Sequence, residues 1–436
     1  MIKCIGIIRE TKNEWERRTP LVPDDIQKII KELPVRFIIQ PSDLRIFKAD
    51  DFCRQGAAMA DDLSPCEMIL GIKEIKVSDL LADKIYLFFS HTIKGQNYNM
   101  PMLQRIMDLH CTLIDYERMI DEKGQRLIYF SYHAGLAGII DTLWAFGKKL
   151  ALHGIDSPFG HIQHSLQYPD LQHAENAFQQ VADHIKKSGL PPQISPCVIG
   201  ITGYGNVSRG VQHLLDILPT VTITPAELPA IHQAKKPQRN KILKMLFKEE
   251  DMVEPVNPQQ KFDLQDYYKH PEKYRSRFER YIPDLNIIVN TSFWNRQYPK
   301  HVTRKFIREL YSGNQEPSLK VIADISCDVQ GGIECTLKTT TPGNPVFTYL
   351  PDTDEARDGF EGHGPLIMAV DNLPCELPVE ASTYFSSILS KLIPDLVQAD
   401  YKRDFASLGL PMALKKAVVV YRGDLTPEYQ YLQEYL

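Results

Sequence analysis

CVIGITGYGNVSRGVQHLLDILP, residues 197–219, decides how the rest of the chain is read. Its first six residues form an apolar run of strand type. Gly203-Tyr204-Gly205 makes a turn, and Val207, Val211, Leu214, Leu215 and Leu218 recur on one helical face. A strand, a glycine turn and a helix in that order suit a dinucleotide. The first glycine allows the tight turn, the second lets the backbone approach a pyrophosphate, and N–H groups at the helix start face the phosphates. Gly203, Tyr204, Gly205, Asn206 and Val207 are therefore the candidate cofactor-binding residues. Ser208 stands where a third Gly or Ala is usual. A plain βα turn that uses glycine for packing is the competing reading.

Downstream, the end of the next strand pattern should carry an acid for the ribose, yet VTITPAEL places Thr224 there, with Lys235, Lys236 and Arg239 beyond it. This favours NADPH over NADH, with Glu227 as the alternative ribose contact. From 229 to 282 the sequence is charged and poor in apolar residues, which reads as a polar surface insertion. LNIIVNTSFW, LKVIADIS and PLIMAV then read as buried parallel strands, and 379–435 reads as a final helical region. Upstream, KCIGII, VRFIIQ, MILGIK, IYLFFS and TLIDYE alternate with helical patterns, as in an α/β domain with a largely parallel sheet. Ile26, Ile29, Ile30 and Leu33 mark one helix, opened by Pro23-Asp24-Asp25. AGLAGIIDTLWAFGKKL, 134–150, reads as a long apolar helix able to join two domains.

Composition agrees with two soluble α/β domains. The chain has 436 residues, 43% hydrophobic and 24% charged, with formal net charge −5. That length exceeds what one core usually serves. The mildly acidic balance argues against a nucleic-acid partner, and no apolar run reaches the roughly 20 residues of a membrane helix. The eight cysteines are scattered without a C-x-x-C pair, and no secretory pattern opens the sequence, so reduced thiols and a cytoplasmic location are expected.

Chemistry-bearing residues cluster where strand patterns end. Lys73 closes MILGIK and His91 follows IYLFFS, at the edge where open parallel sheets bind ligands, and such a pair can shuttle protons. Arg17 and Arg18 in WERRTPLVP could grip a carboxylate, or could pair with Glu14 or Glu16. Asp324 and Asp328 in IADISCDVQGG face the cofactor or cap a turn. His153, His161, His164 and His173 match no ligand spacing, so no metal is expected.

Taken together, IGIIRETKNEWERRTPLVP, ILGIKE, FFSHTIKGQ, the AG-x-AG helix, TGYGNVSRG, DISCDVQGGIE and VDNLPCELPVEAS resemble the lysine-ketoglutarate reductase domain of bifunctional aminoadipic semialdehyde synthase. The likeness runs from residue 3 to about 432, and more distantly the chain resembles lysine-forming saccharopine dehydrogenase and alanine dehydrogenase. The resemblance implies two Rossmann-like α/β domains with parallel sheets, alanine dehydrogenase-like, with a cleft between them. Residues 1–135 plus 375–436 would form the substrate domain and 136–374 the dinucleotide domain. The implied reaction condenses L-lysine with 2-oxoglutarate and reduces the imine with NADPH to saccharopine, which a separate enzyme then oxidises.

Carried over by motif, Lys73 and His91 match the acid/base pair, and Arg18 and Arg126 match carboxylate-binding arginines. Glu74, Gln96 and Glu117 match contacts to the amino-acid substrate, Asp371 an acid at the cleft, and Thr224 and Asp328 join the cofactor set. Ser131 and His133 depart from the glycine and aromatic residue usual in relatives. An alanine dehydrogenase-like enzyme aminating pyruvate and a catalytically silent relative are the alternatives. A homo-oligomer is compatible with all three.

Overall fold

The apolar runs at the start of the chain become β1 (Cys4–Ile7), β2 (Arg36–Ile39), β3 (Ala58–Met59), β4 (Met68–Leu70), β5 (Ile85–Phe88) and β6 (Thr112–Asp115). They pair in parallel in the order β6-β5-β4-β1-β2-β3. Every residue of β1, β4, β5 and β6 is buried, as expected of a parallel sheet covered on both faces. The connecting helices are α1 (Pro23–Glu32), α2 (Ala49–Arg54) and α3 (Met100–Asp108). α1 starts where foreseen, with Pro23 in its first turn, Asp24 and Asp25 beside the positive end of its dipole, and Ile26 and Ile29 buried. In this computed structural model, residues 2–233, 239–313 and 316–436 are described.

A second body of the chain begins at α4 (Ser131–Leu152), followed by α5 (Leu171–Ser188), β7 (Cys197–Thr202), α6 (Asn206–Leu215), β8 (Thr220–Ile223), α7 (Leu228–Gln233) and β9 (Ile242–Phe247). The chain continues through α8 (Glu249–Met252), β10 (Val253–Pro255), α9 (Leu264–Lys269), β11 (Tyr274–Ser276), β12 (Ile287–Asn290) and α10 (Arg304–Tyr311). It then runs through β13 (Val321–Asp324), β14 (Val346–Leu350), β15 (Glu355–Asp358) and β16 (Leu366–Met368). The sheet order is β15-β14-β16-β13-β12-β7-β9-β8, parallel from β16 to β8 with an antiparallel edge at β14 and β15. α4 and α6 touch through glycines: a Cβ on Gly135 would lie 2.0 Å from the Val207 carbonyl oxygen, and one on Gly210 2.1 Å from that of Tyr132. Only hydrogen fits at both places.

The chain then returns to the first sheet. α11 (Pro378–Gln398) packs on α1, with α12 (Met412–Lys416) following. β17 (Val418–Tyr421) adds to β6 and β18 (Asp424–Leu425) to β17, both antiparallel. The two compact units are thus Met1–Phe130 with Pro378–Leu436, and Ser131–Leu377. No helix among the described residues is long and apolar enough to cross a membrane, and the eight cysteines are free thiols.

Two expectations need correction. The stretch 229–282 is no simple surface insertion, because β9 lies inside the second sheet between β7 and β8. Tyr267, Tyr274, Phe278, Tyr281 and Ile282 are also buried, in a core cluster with β9 residues. The charged flanks hid this, and within β9 the buried Lys244 reaches out to Asp216 at 2.5 Å. The region 379–435 is likewise not helical throughout, since β17 and β18 close the sheet.

Candidate active site

In the first unit the C-terminal ends of β1, β4, β5 and β6 lie side by side, and each is followed by titratable residues. Glu10 follows β1 and accepts hydrogen bonds from the backbone N–H groups of Ile72 (2.6 Å) and Lys73 (3.0 Å) beyond β4. Burial, reinforced by the Glu16 carboxylate, pushes the Glu10 carboxyl up. Next along β4's exit, Glu74 meets the His91 Nδ1 at 2.8 Å and the Lys12 Nζ at 3.3 Å. Burial by itself would raise Glu74, but His91, a backbone N–H and Lys12 outweigh it and hold the carboxyl at about 2. An ionised carboxylate only accepts, so His91 donates from Nδ1, and Nε2 is the nitrogen left to exchange a proton. His91 has φ +51°, in the left-handed region, where strained backbone often accompanies function, and its carbonyl accepts from Asn99 Nδ2.

β6 ends at Asp115, fully buried, bonded by the Ser90 hydroxyl (2.5 Å) and the Glu117 N–H (2.7 Å) and pushed up to about 6 by burial. Glu117 is held in turn by Arg126, whose side chain is half exposed. Arg18 and Glu16 form a buried two-point ion pair, at 2.7 Å from Nε and 2.5 Å from Nη2, with the Arg18 guanidinium 4.5 Å from the Phe130 ring centroid. Backbone N–H groups of Thr19 and Val22 donate to Ser382 and Ser386 of α11, which fixes this segment.

The structure therefore groups Lys73, Glu74 and His91 at adjoining strand ends, and joins Glu117 to Arg126. Gln96 is exposed and accepts from the Tyr98 hydroxyl at 3.0 Å. Asp371 is exposed after β16, in the second unit. Glu10, Lys12 and Asp115 were missed by sequence reasoning, although each is an ionisable residue at or just beyond a strand end, the same signal that singled out Lys73.

In the second unit a cavity of about 600 Å³ opens at the glycine turn, lined by Gly203 to Val207 together with Phe247, Glu249, Tyr267, Tyr268, Thr291, Ser292, Tyr298 and His301. Gly203 has φ +82°, a conformation that glycine adopts at little cost and other residues do not, and a Cβ on Gly205 would meet nothing within 4 Å, so the backbone there is open to a close ligand. These features fit a dinucleotide: a turn for phosphates, the start of α6, and aromatic walls for a base. Behind them runs a buried polar chain. The Thr202 hydroxyl donates to Asn290 Oδ1 (2.7 Å), Asn290 Nδ2 donates to Asp324 (2.9 Å), and Ser292 contacts His301 Nε2 (3.1 Å). Burial holds His301 down at about 4, so it is neutral near pH 7. The buried acid of IADISCDVQGG is Asp324, while Asp328 is exposed and its carbonyl accepts from Gly331 in a turn.

The sheet order takes Thr224 and Arg239, two of the grounds for NADPH, away from the glycine turn. Thr224 follows the edge strand β8, does not line the cavity, and is bonded to Glu227 through both its N–H and its hydroxyl. The neighbour of β7 is β9, whose Phe247 carbonyl accepts from the Gly203 N–H at 3.1 Å. Arg239 precedes the opposite end of β9 and donates to the Leu190 carbonyl, so a six-residue strand of about 17 Å or more separates it from the turn. Lys235 and Lys236 lie outside the described residues.

Of the four histidines, His164 lies with Asp141 and Glu376 in a buried group whose polar atoms fall within 4.8 Å of one another. His164 Nδ1 accepts from the Leu166 N–H, so the neutral ring keeps its proton on Nε2, a donor facing Asp141 across 3.6 Å and not a metal lone pair.

Residues 6–137 match the N-terminal domain family of alanine dehydrogenase/PNT, and residues 220–428 its C-terminal domain family. The chain is 36% identical over 443 residues to alpha-aminoadipic semialdehyde synthase of Arabidopsis thaliana, covering 98% of this chain and 41% of that protein. To the mitochondrial alpha-aminoadipic semialdehyde synthase of Rattus norvegicus it is 33% identical, covering 99% and 47%. The chain thus spans under half the length of these curated relatives. Saccharopine dehydrogenase [NAD(+), L-lysine-forming] of Neurospora crassa is 26% identical, covering 89% and 90%. Among solved structures, L-alanine dehydrogenase superposes with TM-score 0.63 at 16% identity, covering 99% of this chain and 100% of that one, which shows a shared fold. Transhydrogenase from Sinorhizobium meliloti does so with TM-score 0.57 at 15% identity, covering 97% and 100%. Both domain matches, the two parallel sheets and the glycine-turn cavity agree: the chain belongs to the alanine dehydrogenase/PNT family.

Proposed function

We propose that the chain condenses the side-chain amine of L-lysine with 2-oxoglutarate and reduces the product to saccharopine. A reduced nicotinamide dinucleotide held at Gly203 to Val207 supplies the reducing equivalents when bound. The observation that carries this reading is the His91–Glu74 contact of 2.8 Å beside Lys73, at the ligand-binding edge of the first sheet. The likeness of nearly the whole of this chain to part of the aminoadipic semialdehyde synthases supports the choice of substrates.

Each group then has a task. The attacking amine must lose a proton and the carbinolamine oxygen must gain one before water leaves, so two exchangeable protons are needed. Lys73 Nζ and His91 Nε2 supply them, with Glu74 fixing the imidazole and Glu10 fixing the backbone that carries Lys73. Arg126 and Arg18 hold the carboxylates of the oxo acid, the second oriented by Glu16. Glu117 and Glu74 suit the cationic amino acid, and Gln96 completes the polar contacts. In the second unit the start of α6 receives the phosphates, and the neutral His301 with Ser292 keeps the cavity floor uncharged.

Incubation with L-lysine, 2-oxoglutarate and a reduced dinucleotide, followed by mass spectrometry, tests this reading. Saccharopine formed only when both substrates are present is expected. Alanine formed from pyruvate and ammonia instead would replace the reading.

A further inference from the structure

We propose that Glu249 reads the adenosine ribose of the dinucleotide and makes this chain prefer NADH to NADPH. The inference rests on the assignment of the Gly203 cavity to a dinucleotide. In a doubly wound sheet the ribose hydroxyls fall at the end of the strand beside the one that leads into the glycine turn, where a carboxylate accepts from them. Here that neighbour is β9, and the first residues past its end are Lys248 and Glu249.

Glu249 lines the cavity together with Phe247, whereas Lys248 does not. Its carboxylate is held in place from two sides: the Tyr268 hydroxyl donates to Oε1 at 2.8 Å, and the hydroxyl of Tyr204, within the glycine turn itself, lies 3.2 Å from Oε2. Two hydroxyls occupy only part of the acceptor capacity of a carboxylate, so lone pairs remain for the 2′- and 3′-hydroxyls of a ribose. A 2′-phosphate would instead bring about two negative charges against a fixed third. Among the described residues that line the cavity there is no lysine or arginine to offset it, and His301 is neutral. Arg239, the described cation that sequence reasoning offered for the phosphate, sits at the far end of β9.

Titration of the whole chain with NADH and with NADPH, followed by calorimetry, reads this directly and needs no amino-acid substrate. Wild type should bind NADH tighter by roughly 10²-fold, the scale of a like-charge mismatch at a binding site. Glu249→Gln, which keeps the size and the tyrosine contacts, should bring the ratio to within about tenfold, and Glu249→Arg should invert it. An unchanged melting temperature in Glu249→Gln would show that the fold is intact. NADPH bound as tightly as NADH by wild type, or a ratio unmoved in both variants, would overturn the inference while leaving the dinucleotide assignment standing. Binding of neither nucleotide would overturn both.

Discussion

In the proposed reaction, proton exchange rests on His91. Its ring is tied by Nδ1 to Glu74 and its backbone is held at φ +51°, so Nε2 has one orientation to work from. His91→Gln and Lys73→Met should each lower turnover by roughly 10²-fold or more, with dinucleotide binding nearly unchanged by titration. Glu74→Gln should lower it less, by roughly tenfold, because it loosens the ring without removing it. Equal activity in all three, measured by initial rates, would contradict these roles. His301 makes a separate prediction about stability. Its folded pKa of about 4 lies below the unfolded value of 6.5, so the stability it contributes is present above pH 6.5. That contribution is lost as pH falls through 4, because the unfolded chain takes up the proton first. The loss amounts to about 3 kcal/mol for a group this buried. Thermal melting of wild type between pH 7 and 4 should therefore fall more steeply than that of His301→Gln.

At the scale of elements, the contact of α4 with α6 is the most sharply defined. Gly135 and Gly210 let two helix backbones meet, and α6 also presents Asn206 to the cavity. Gly135→Ala or Gly210→Ala should lower the melting temperature by roughly 5 °C or more, and should weaken dinucleotide binding in parallel, because α6 must move to admit a methyl group. A melting curve and binding curve unchanged by either would refute the close packing. Strands of both sheets were legible at apolar runs such as Ile85–Phe88 and Ile287–Asn290, whereas β14, Val346–Leu350, was passed over although Pro345 and Pro351 bound it. β9 was not, because Lys244 interrupts its pattern and charged segments flank it. Lys73 and His91 could be singled out because the ends of neighbouring parallel strands must converge. Glu249 could not, because its relevance depends on β9 and not β8 lying beside β7, and strand order is not a local property of sequence.

For the whole molecule, the chain order places one continuous unit within the sequence of a discontinuous one. Ser131–Leu377 carries the dinucleotide features, while Met1–Phe130 and Pro378–Leu436 carry Lys73, Glu74, His91, Arg18 and Arg126. The final β17 and β18 were not foreseen: β18 has only two residues, and the four buried residues of β17 form an apolar run too short for periodicity to tell a strand from a helix segment. In the proposed reaction, proton transfer falls to residues of one unit and cofactor binding to residues of the other, so activity should demand both sets at once. The most direct measurement is the fall in nicotinamide absorbance with 2-oxoglutarate present, with and without L-lysine, in wild type and in Lys73→Met. The account predicts oxidation that depends on lysine in wild type and is reduced by roughly 10²-fold or more in the variant. Oxidation that needs no lysine, or that pyruvate and ammonia support better, would contradict it.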